Sequence, residues 1–343
     1  MSFRKRDVSL PFKANEVSKP KPKWIRPSTL LPTYPTVSTG TSSLDKLLLH
    51  GGQPLGTSLL VIEDSATDFA SVIARCYAAQ GVANQNIVVT VGAGPRWGLD
   101  LPAPTELKPK SAPVPVQKEE LKIAWRYRQS GSSTDGQPTS TADNLDSVYC
   151  RTYNITTRQL PPPKLHQIDS TSFADIVSQL SSLLASHAPD TVIRAVFPNF
   201  LSPTVYDPAT SFEPQVLLDF LFSVRTLLRL YPSRLTVLLT LSRSLFDRSS
   251  SGNSILLPWI EILLDGIIKL IPDTANSDTK TESRIQGFVD VIKIPIVSDR
   301  GGMMVRKMDY AFKVGKNGLK IEEWSIPVMI DEQKDKKQDK LEY

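Results

Sequence analysis

The sequence predicts an α/β fold: a mostly parallel, twisted sheet flanked by helices and finished by antiparallel edge strands at the C-terminal side. Three patterns predict it. Four short runs rich in β-branched residues are apolar on both faces, as strands buried inside a parallel sheet must be. Between them, apolar residues recur every three or four positions, which is the stripe of a helix packed on a sheet. Toward the C-terminus the runs alternate polar and apolar residues and meet at an Asn-Gly pair, the signal of a hairpin.

Taken in chain order, residues 1–32 carry Arg4, Lys5, Arg6, Lys13, Lys19, Lys21, Lys23 and Arg26 against only Asp7 and Glu16. With several prolines and no apolar period, such a segment cannot bury enough surface to offset its ordering entropy, and it is expected to be a disordered basic arm. A single domain is expected over 33–330. Its strands are 57–63 (TSLLVIE), 86–91 (NIVVTV), 191–197 (TVIRAVF) and 235–241 (LTVLLTL). One helix carries Phe69, Val72, Ile73, Cys76 and Tyr77 on a stripe, and a second carries Phe173, Ile176, Val177, Leu180, Leu183 and Leu184. A third, 214–231, places Leu217, Leu221, Val224 and Leu228 on one face and stops before Pro232. Strand, helix, strand, helix implies right-handed crossovers. Flexible insertions are expected at 101–117, which holds five prolines, and at 129–144, almost wholly Ser, Thr, Gly, Asp and Gln. Strands at 288–294, 309–314 and 319–324 follow, the last two joined at Lys316-Asn317-Gly318, where Asn-Gly supplies a positive φ. Residues 331–343 read as a charged tail.

Composition narrows the function. The chain has 343 residues and a net charge of +5, but the arm holds nearly all of that excess, so the body is close to neutral and any basic surface on it is local. Two cysteines cannot make a disulfide framework, and His50, His166 and His187 never fall at metal-ligand spacing, so no metal centre is expected. The start lacks an apolar leader core, and the apolar run 259–271 is cut by Glu261, Asp265 and Lys269. A soluble intracellular protein without a membrane span is the expectation.

The most informative stretch is STGTSSLD at 38–45, followed by GGQPLGT at 51–57 and the strand that runs to Glu63. This TG, LD, GG order ahead of an apolar strand resembles the opening of RecA-like domains, in the P-loop NTPase class. In an active member the strand runs into G-x-x-x-x-G-K-[ST], whose amides cradle phosphates, whose Lys neutralises them and whose hydroxyl holds Mg²⁺. Here the segment is Glu63 followed by Asp64, Ser65, Ala66, Thr67 and Asp68, with no glycine and no lysine. The strand 86–91 ends in Gly92-Ala93-Gly94-Pro95 without a carboxylate to activate water, and 191–197 ends in Pro198-Asn199 without an Asp for Mg²⁺. Degenerate Walker motifs are therefore expected, with no catalytic residue and no ATP hydrolysis in cis. ATP held at a subunit boundary, against a neighbour's phosphate loop, stays open.

Other motifs are weaker. Gly92-x-Gly94 fits a plain turn, Cys76 fits a core position, and no G-x-S-x-G elbow occurs. The segment KIAWRYR at 122–128 mixes bases with aromatics, which suits either stacking on RNA or burial of Trp125 beneath the insertion.

These segments together resemble the PAXNEB family, the protein 4 subunits of the Elongator complex. The carriers are STGTSSLD at 38–45, GGQPLGTSLL at 51–60, TDFA at 67–70, KIAWRY at 122–127, and YAFKV at 310–314 followed by LKIE at 319–322. The resemblance implies a non-catalytic RecA-like subunit in a hetero-hexameric ring with Elongator subunits five and six. That ring docks on larger Elongator subunits, among them the catalytic one with radical-SAM and acetyltransferase-like domains, and binds tRNA so that wobble uridines receive carboxymethyl-type modification. No cofactor of its own and a cytoplasmic location, with a nuclear pool left open, go with it. Arg300, Arg306 and Lys307, flanking Gly301-Gly302, are candidate tRNA contacts, because a Gly-flanked basic loop can approach a phosphate backbone. A RecA-like ATPase or nucleic-acid motor outside Elongator is the competing reading.

Overall fold

The computed structural model describes residues 22–64, 67–105, 148–169, 172–246, 256–273, 285–296, 298 and 309–324. In chain order the elements are β1 (Arg26–Pro27), β2 (Pro35–Val37), α1 (Ser42–Leu47), β3 (Gln53–Pro54), β4 (Ser58–Glu63), α2 (Phe69–Ala83) and β5 (Ile87–Val91). Next come β6 (Pro102–Pro104), β7 (Tyr153–Arg158), β8 (His166–Ile168), α3 (Phe173–Ser186), β9 (Ile193–Phe197), α4 (Pro208–Ser211) and α5 (Pro214–Leu230). The chain continues through β10 (Leu235–Ser242), α6 (Leu256–Leu263), β11 (Gly266–Pro272), β12 (Gly287–Lys293), β13 (Asp309–Gly315) and β14 (Gly318–Trp324).

A nine-stranded sheet in the order β14-β13-β12-β11-β4-β10-β9-β5-β8 forms the body. From β11 to β8 every neighbouring pair is parallel, and from β11 to β14 every pair is antiparallel. The five central strands, taken by their place in the chain, stand fifth, first, fourth, third, second, so the first strand lies between the fifth and fourth. This is a mixed sheet, mostly parallel with an antiparallel edge, as the sequence predicts.

Strand β4 shows why both-face apolarity marks the centre. Its side chains alternate between faces, so Leu60 and Ile62 join the core under α3, α5 and α6, while Leu59 and Val61 join the core under α1 and α2. All six residues are buried. Burial of each such Leu or Ile contributes roughly 1.5–3 kcal/mol. The helical stripes land as their periods require: Ile176, Leu180 and Leu184 of α3 and Leu217, Leu221 and Val224 of α5 enter the first layer. Ile73, Ala74 and Tyr77 of α2 enter the second.

Two expectations change. Residues 22–32, placed in the arm by their charge, are folded: Trp24 and Ile25 pack with Val37, Leu55 and Val192, and β1, β2 and β3 form a small antiparallel sheet. Two apolar side chains with a ready groove outweigh the local charge. Residues 1–21 and 331–343 lie outside the described residues, as do 106–117 and all of 129–144. The beginning of the first insertion is ordered, with Leu101 buried and β6 paired to β7. The apolar run 259–271 is two elements, the end of α6 and most of β11, divided at Asp265, which accepts hydrogen bonds from the Ser58 amide at 2.9 Å and hydroxyl at 2.8 Å. In the β13–β14 hairpin the Asn317-Gly318 pair supplies the positive φ, at Gly318, +93°, as the sequence predicts. A glycine just after the turn supplies the left-handed residue that a hairpin of this length needs.

Candidate functional site

The ends of the central parallel strands, where ligands collect in open α/β sheets, meet the start of α2. Glu63 is the last residue of β4 and Phe69 the first of α2. A helix start leaves amide groups unpaired and carries a partial positive charge, which is why phosphates bind there. In this chain the place is filled from within. Glu63 Oε1 accepts from the Phe69 amide at 3.0 Å and also from the Thr67 hydroxyl, and Oε2 accepts from the Ala70 amide at 3.1 Å. Glu63 is only 4% exposed, so this carboxylate is a built-in cap and not a side chain in solvent. Asp68, at the N-cap position, makes no side-chain cap bond and instead accepts from the Ser71 hydroxyl at 2.7 Å.

Asp64 faces two cations: Lys269 Nζ on β11 lies 3.1 Å away, and Arg243 Nε just past β10 lies 3.4 Å away. Among the described residues, Lys269 is the lysine that pairs with a carboxylate of this segment. Its charge is balanced by Asp64, which lies partly buried beside it. Of the expected degenerate phosphate-loop residues, then, Thr67 bonds to Glu63, Asp64 turns to Lys269 and Arg243, and Asp68 to Ser71, while Ser65 and Ala66 lie outside the described residues.

The neighbouring strand ends are packed with hydrocarbon and aromatic groups. After β5, Gly92 takes φ +66°, and a Cβ there would stand 2.7 Å from Val205 Cγ1 and 3.0 Å from the Tyr206 hydroxyl. After β9, the Asn199 amide donates to Thr240 Oγ1 at 2.8 Å, and Phe197 and Phe200 join Phe173, Tyr206 and Phe220 in a ring cluster. Among the described residues no three His, Cys, Asp or Glu side chains converge as a metal site, and no helix is long and apolar enough to cross a membrane.

The 38–45 motif serves a buried polar joint. Asp45 accepts from the Ser38 hydroxyl, from the Thr39 amide at 2.7 Å and from the Thr39 hydroxyl at 2.6 Å. Burial raises the Asp45 pKa, and these donors pull it back down. Arg194 on β9, fully buried, donates to Asn86 Oδ1 at 2.9 Å and to the Ser38 carbonyl at 2.8 Å, and lies over the Tyr77 ring at 5.0 Å. Burial is the main influence on Arg194 as well, and lowers its pKa. The joint locks the entry to α1 against β9, so the motif is legible as chemistry but acts in folding.

Sequence reasoning missed Glu63, Lys269 and Arg243. A Glu closing a buried strand six residues before a helix start was the available signal for the first; the two cations needed the strand order. Arg300, Arg306, Lys307 and the 122–128 segment lie outside the described residues.

Residues 18–342 match the family model described as PAXNEB protein. Elongator complex protein 4 of Saccharomyces cerevisiae is 28% identical over 356 residues, which cover 89% of this chain and 76% of that protein. Elongator complex protein 4 of Schizosaccharomyces pombe is 28% identical over 335 residues, covering 88% of this chain and 87% of that one. The Xenopus laevis protein of the same name is 35% identical over 106 residues, 27% of this chain and 26% of its own length. Among solved structures, a KaiC-like protein from Pyrococcus horikoshii superposes with a TM-score of 0.43 at 14% identity, over 84% of this chain and 99% of that one.

Proposed function

The chain belongs to the PAXNEB family, and on that premise we propose that it is a non-catalytic subunit of the Elongator complex, set in a hetero-hexameric ring with subunits five and six. The two yeast relatives support complex membership, because each aligns over 88% or more of the chain and bears the name of the same subunit. In this reading the ring docks on the larger subunits, including the catalytic radical-SAM and acetyltransferase-like one, and binds tRNA for carboxymethyl-type modification of wobble uridines. The subunit brings no cofactor of its own; ATP is held only at boundaries between ring subunits. It works in the cytoplasm, with a nuclear pool left open.

The observation that carries the non-catalytic part is the Glu63 carboxylate on the Phe69 and Ala70 amides. Phosphoryl transfer depends on positioned donors and cations around the transferred group. Here the donors at the start of α2 already hold an anion that is covalently part of the chain, and Lys269 and Arg243 both pair with the same carboxylate, Asp64. A γ-phosphate placed there has to displace a carboxylate and meet a second one, which costs Coulomb energy at both steps.

Deletion of the gene, followed by mass spectrometry of nucleosides from total tRNA, tests the whole reading. Loss of the carboxymethyl-derived wobble uridines, restored by the intact gene and equally by one with Asp64→Ala and Asp68→Ala, is expected. Unchanged wobble uridines would remove the Elongator assignment and leave a RecA-like ATPase or motor as the alternative to pursue.

A further inference from the structure

On the α1 and α2 side of the sheet, a cleft of ≈ 370 Å³ lies between the start of α1, the entry to β7 and the β13–β14 hairpin. Arg151 borders it on one side and Lys313, Lys316 and Lys320 on the other, and among the described residues no carboxylate lines it. Glu322 pairs with Lys313 at 3.1 Å and also with Lys320, so one acid offsets part of this charge. Arg151 and Lys316 have no acidic partner among the described residues. A concentration of positive charge on a body that is close to neutral marks a place where an anion is favoured.

The remaining lining decides which anion. Thr41, Ser42, Thr152 and Asn317 offer hydroxyl and amide groups, while of the apolar lining residues Tyr153 and Leu319 are buried and Val314 is half-buried. Protein partners insert aromatic or aliphatic anchors into apolar pockets, and here Val314 is the one Val, Leu or aromatic side chain of the lining that is not buried, beside four cations. A phosphodiester backbone needs cations with short hydrogen-bonding groups beside them. The hairpin loop Gly315-Lys316-Asn317-Gly318 adds two residues without side chains, so a sugar-phosphate chain can come close to the backbone. The two thiols in the lining, Cys76 and Cys150, are each pushed up to about 12 by burial, so neither is a nucleophile competing for the role.

We propose that this cleft holds the RNA sugar-phosphate backbone, with Arg151 and Lys316 as its principal phosphate contacts. The proposal rests on the reading of the chain as part of a tRNA-binding ring, and it adds a location that the sequence did not point to. Recognition here is by charge and reach, so it is indifferent to base sequence and sensitive to salt.

The test is tRNA binding to the assembled ring, by fluorescence anisotropy over a series of salt concentrations, with wild type and with Arg151→Ala/Lys316→Ala. The double variant is expected to bind about tenfold more weakly and to lower the slope of log K against log salt by about 1–2. Arg151→Lys/Lys316→Arg is expected to restore both, since a point charge suffices at a backbone contact. A double alanine ring that assembles and binds tRNA with unchanged affinity and slope overturns the cleft while leaving tRNA binding in place. A wild-type ring that binds no tRNA overturns the functional reading and the cleft with it. Normal tRNA binding together with lost association with the larger subunits assigns the cleft to a protein contact and likewise overturns the proposal.

Discussion

Glu63 and Ala70 are joined across the turn between β4 and α2, the carboxylate Oε2 accepting the Ala70 amide proton at 3.1 Å. Because the other oxygen serves Phe69, Glu63→Ala leaves two helix-start donors without their acceptor. A loss of about 1–3 kcal/mol is expected, with Glu63→Gln losing less because it keeps one acceptor oxygen. Urea unfolding measures it, and equal stability of wild type and Glu63→Ala would sink the capping role.

The same relationship bears on nucleotide chemistry. The purified chain is expected to release no phosphate from Mg-ATP above the buffer rate, and Lys269→Ala is expected to leave that result unchanged. Turnover by the chain alone that disappears in Lys269→Ala would instead make Lys269 a surrogate phosphate-loop lysine.

His50 gives a pH dependence whose sign can be worked out. It is fully buried, and its Nε2 meets the Pro295 carbonyl at 2.5 Å. Since a carbonyl only accepts, Nε2 carries the proton and Nδ1 accepts from the Ser28 hydroxyl at 2.6 Å. Burial is the largest influence and lowers the pKa below 6.5, against the opposing effect of the Pro295 and Ile296 carbonyls. Above about pH 6.5 the ring is neutral both folded and unfolded, and its contribution is complete. As pH falls below that, the unfolded chain takes up a proton that the folded one refuses, so stability drops by at most about 1.4 kcal/mol per pH unit until the folded pKa is reached. Unfolding titrations between pH 5 and 8 should show this slope in wild type and a flatter one in His50→Gln.

Gly40 tests the backbone beside the 38–45 joint. It sits at φ +80°, and a Cβ there would overlap the Cys76 carbonyl oxygen. Both the conformation and the contact oppose a side chain, so Gly40→Ala should destabilise by more than about 1 kcal/mol. An unchanged melting temperature would show that α2 can shift to admit a methyl group.

The legible parts of this fold are those whose residues report both faces at once. β4, β5, β9 and β10 announce burial through uninterrupted apolar runs, and α2, α3 and α5 through their stripes. Elements defined mainly by a partner were not legible: β8 is three residues held by β5, and β6 pairs around two prolines. The 259–271 run was readable as interrupted by Glu261, Asp265 and Lys269, but that the chain turns at Leu264 and Asp265 from a helix into a strand shows only in the pairing of Asp265 with Ser58. At the site, the missing glycine and lysine were readable as absences. That Glu63 stands in for the anion was only hinted at by its place between a buried strand and a helix start, because which amides it meets is fixed by the path of the turn. Trp24 and Ile25 fell within a basic segment whose charge hid two anchors.

The pairing of Ser58 with Asp265 joins positions 207 residues apart. Consequently β4, apolar on both faces, leaves the ribosome long before either of its neighbours in the sheet exists. At translation rates of about 5–20 residues per second, it waits on the order of 10–40 s for β11. Meanwhile the nascent chain offers a sticky, unpaired template strand. The exposure of that strand during synthesis is therefore a hazard of aggregation separate from the stability of the finished fold.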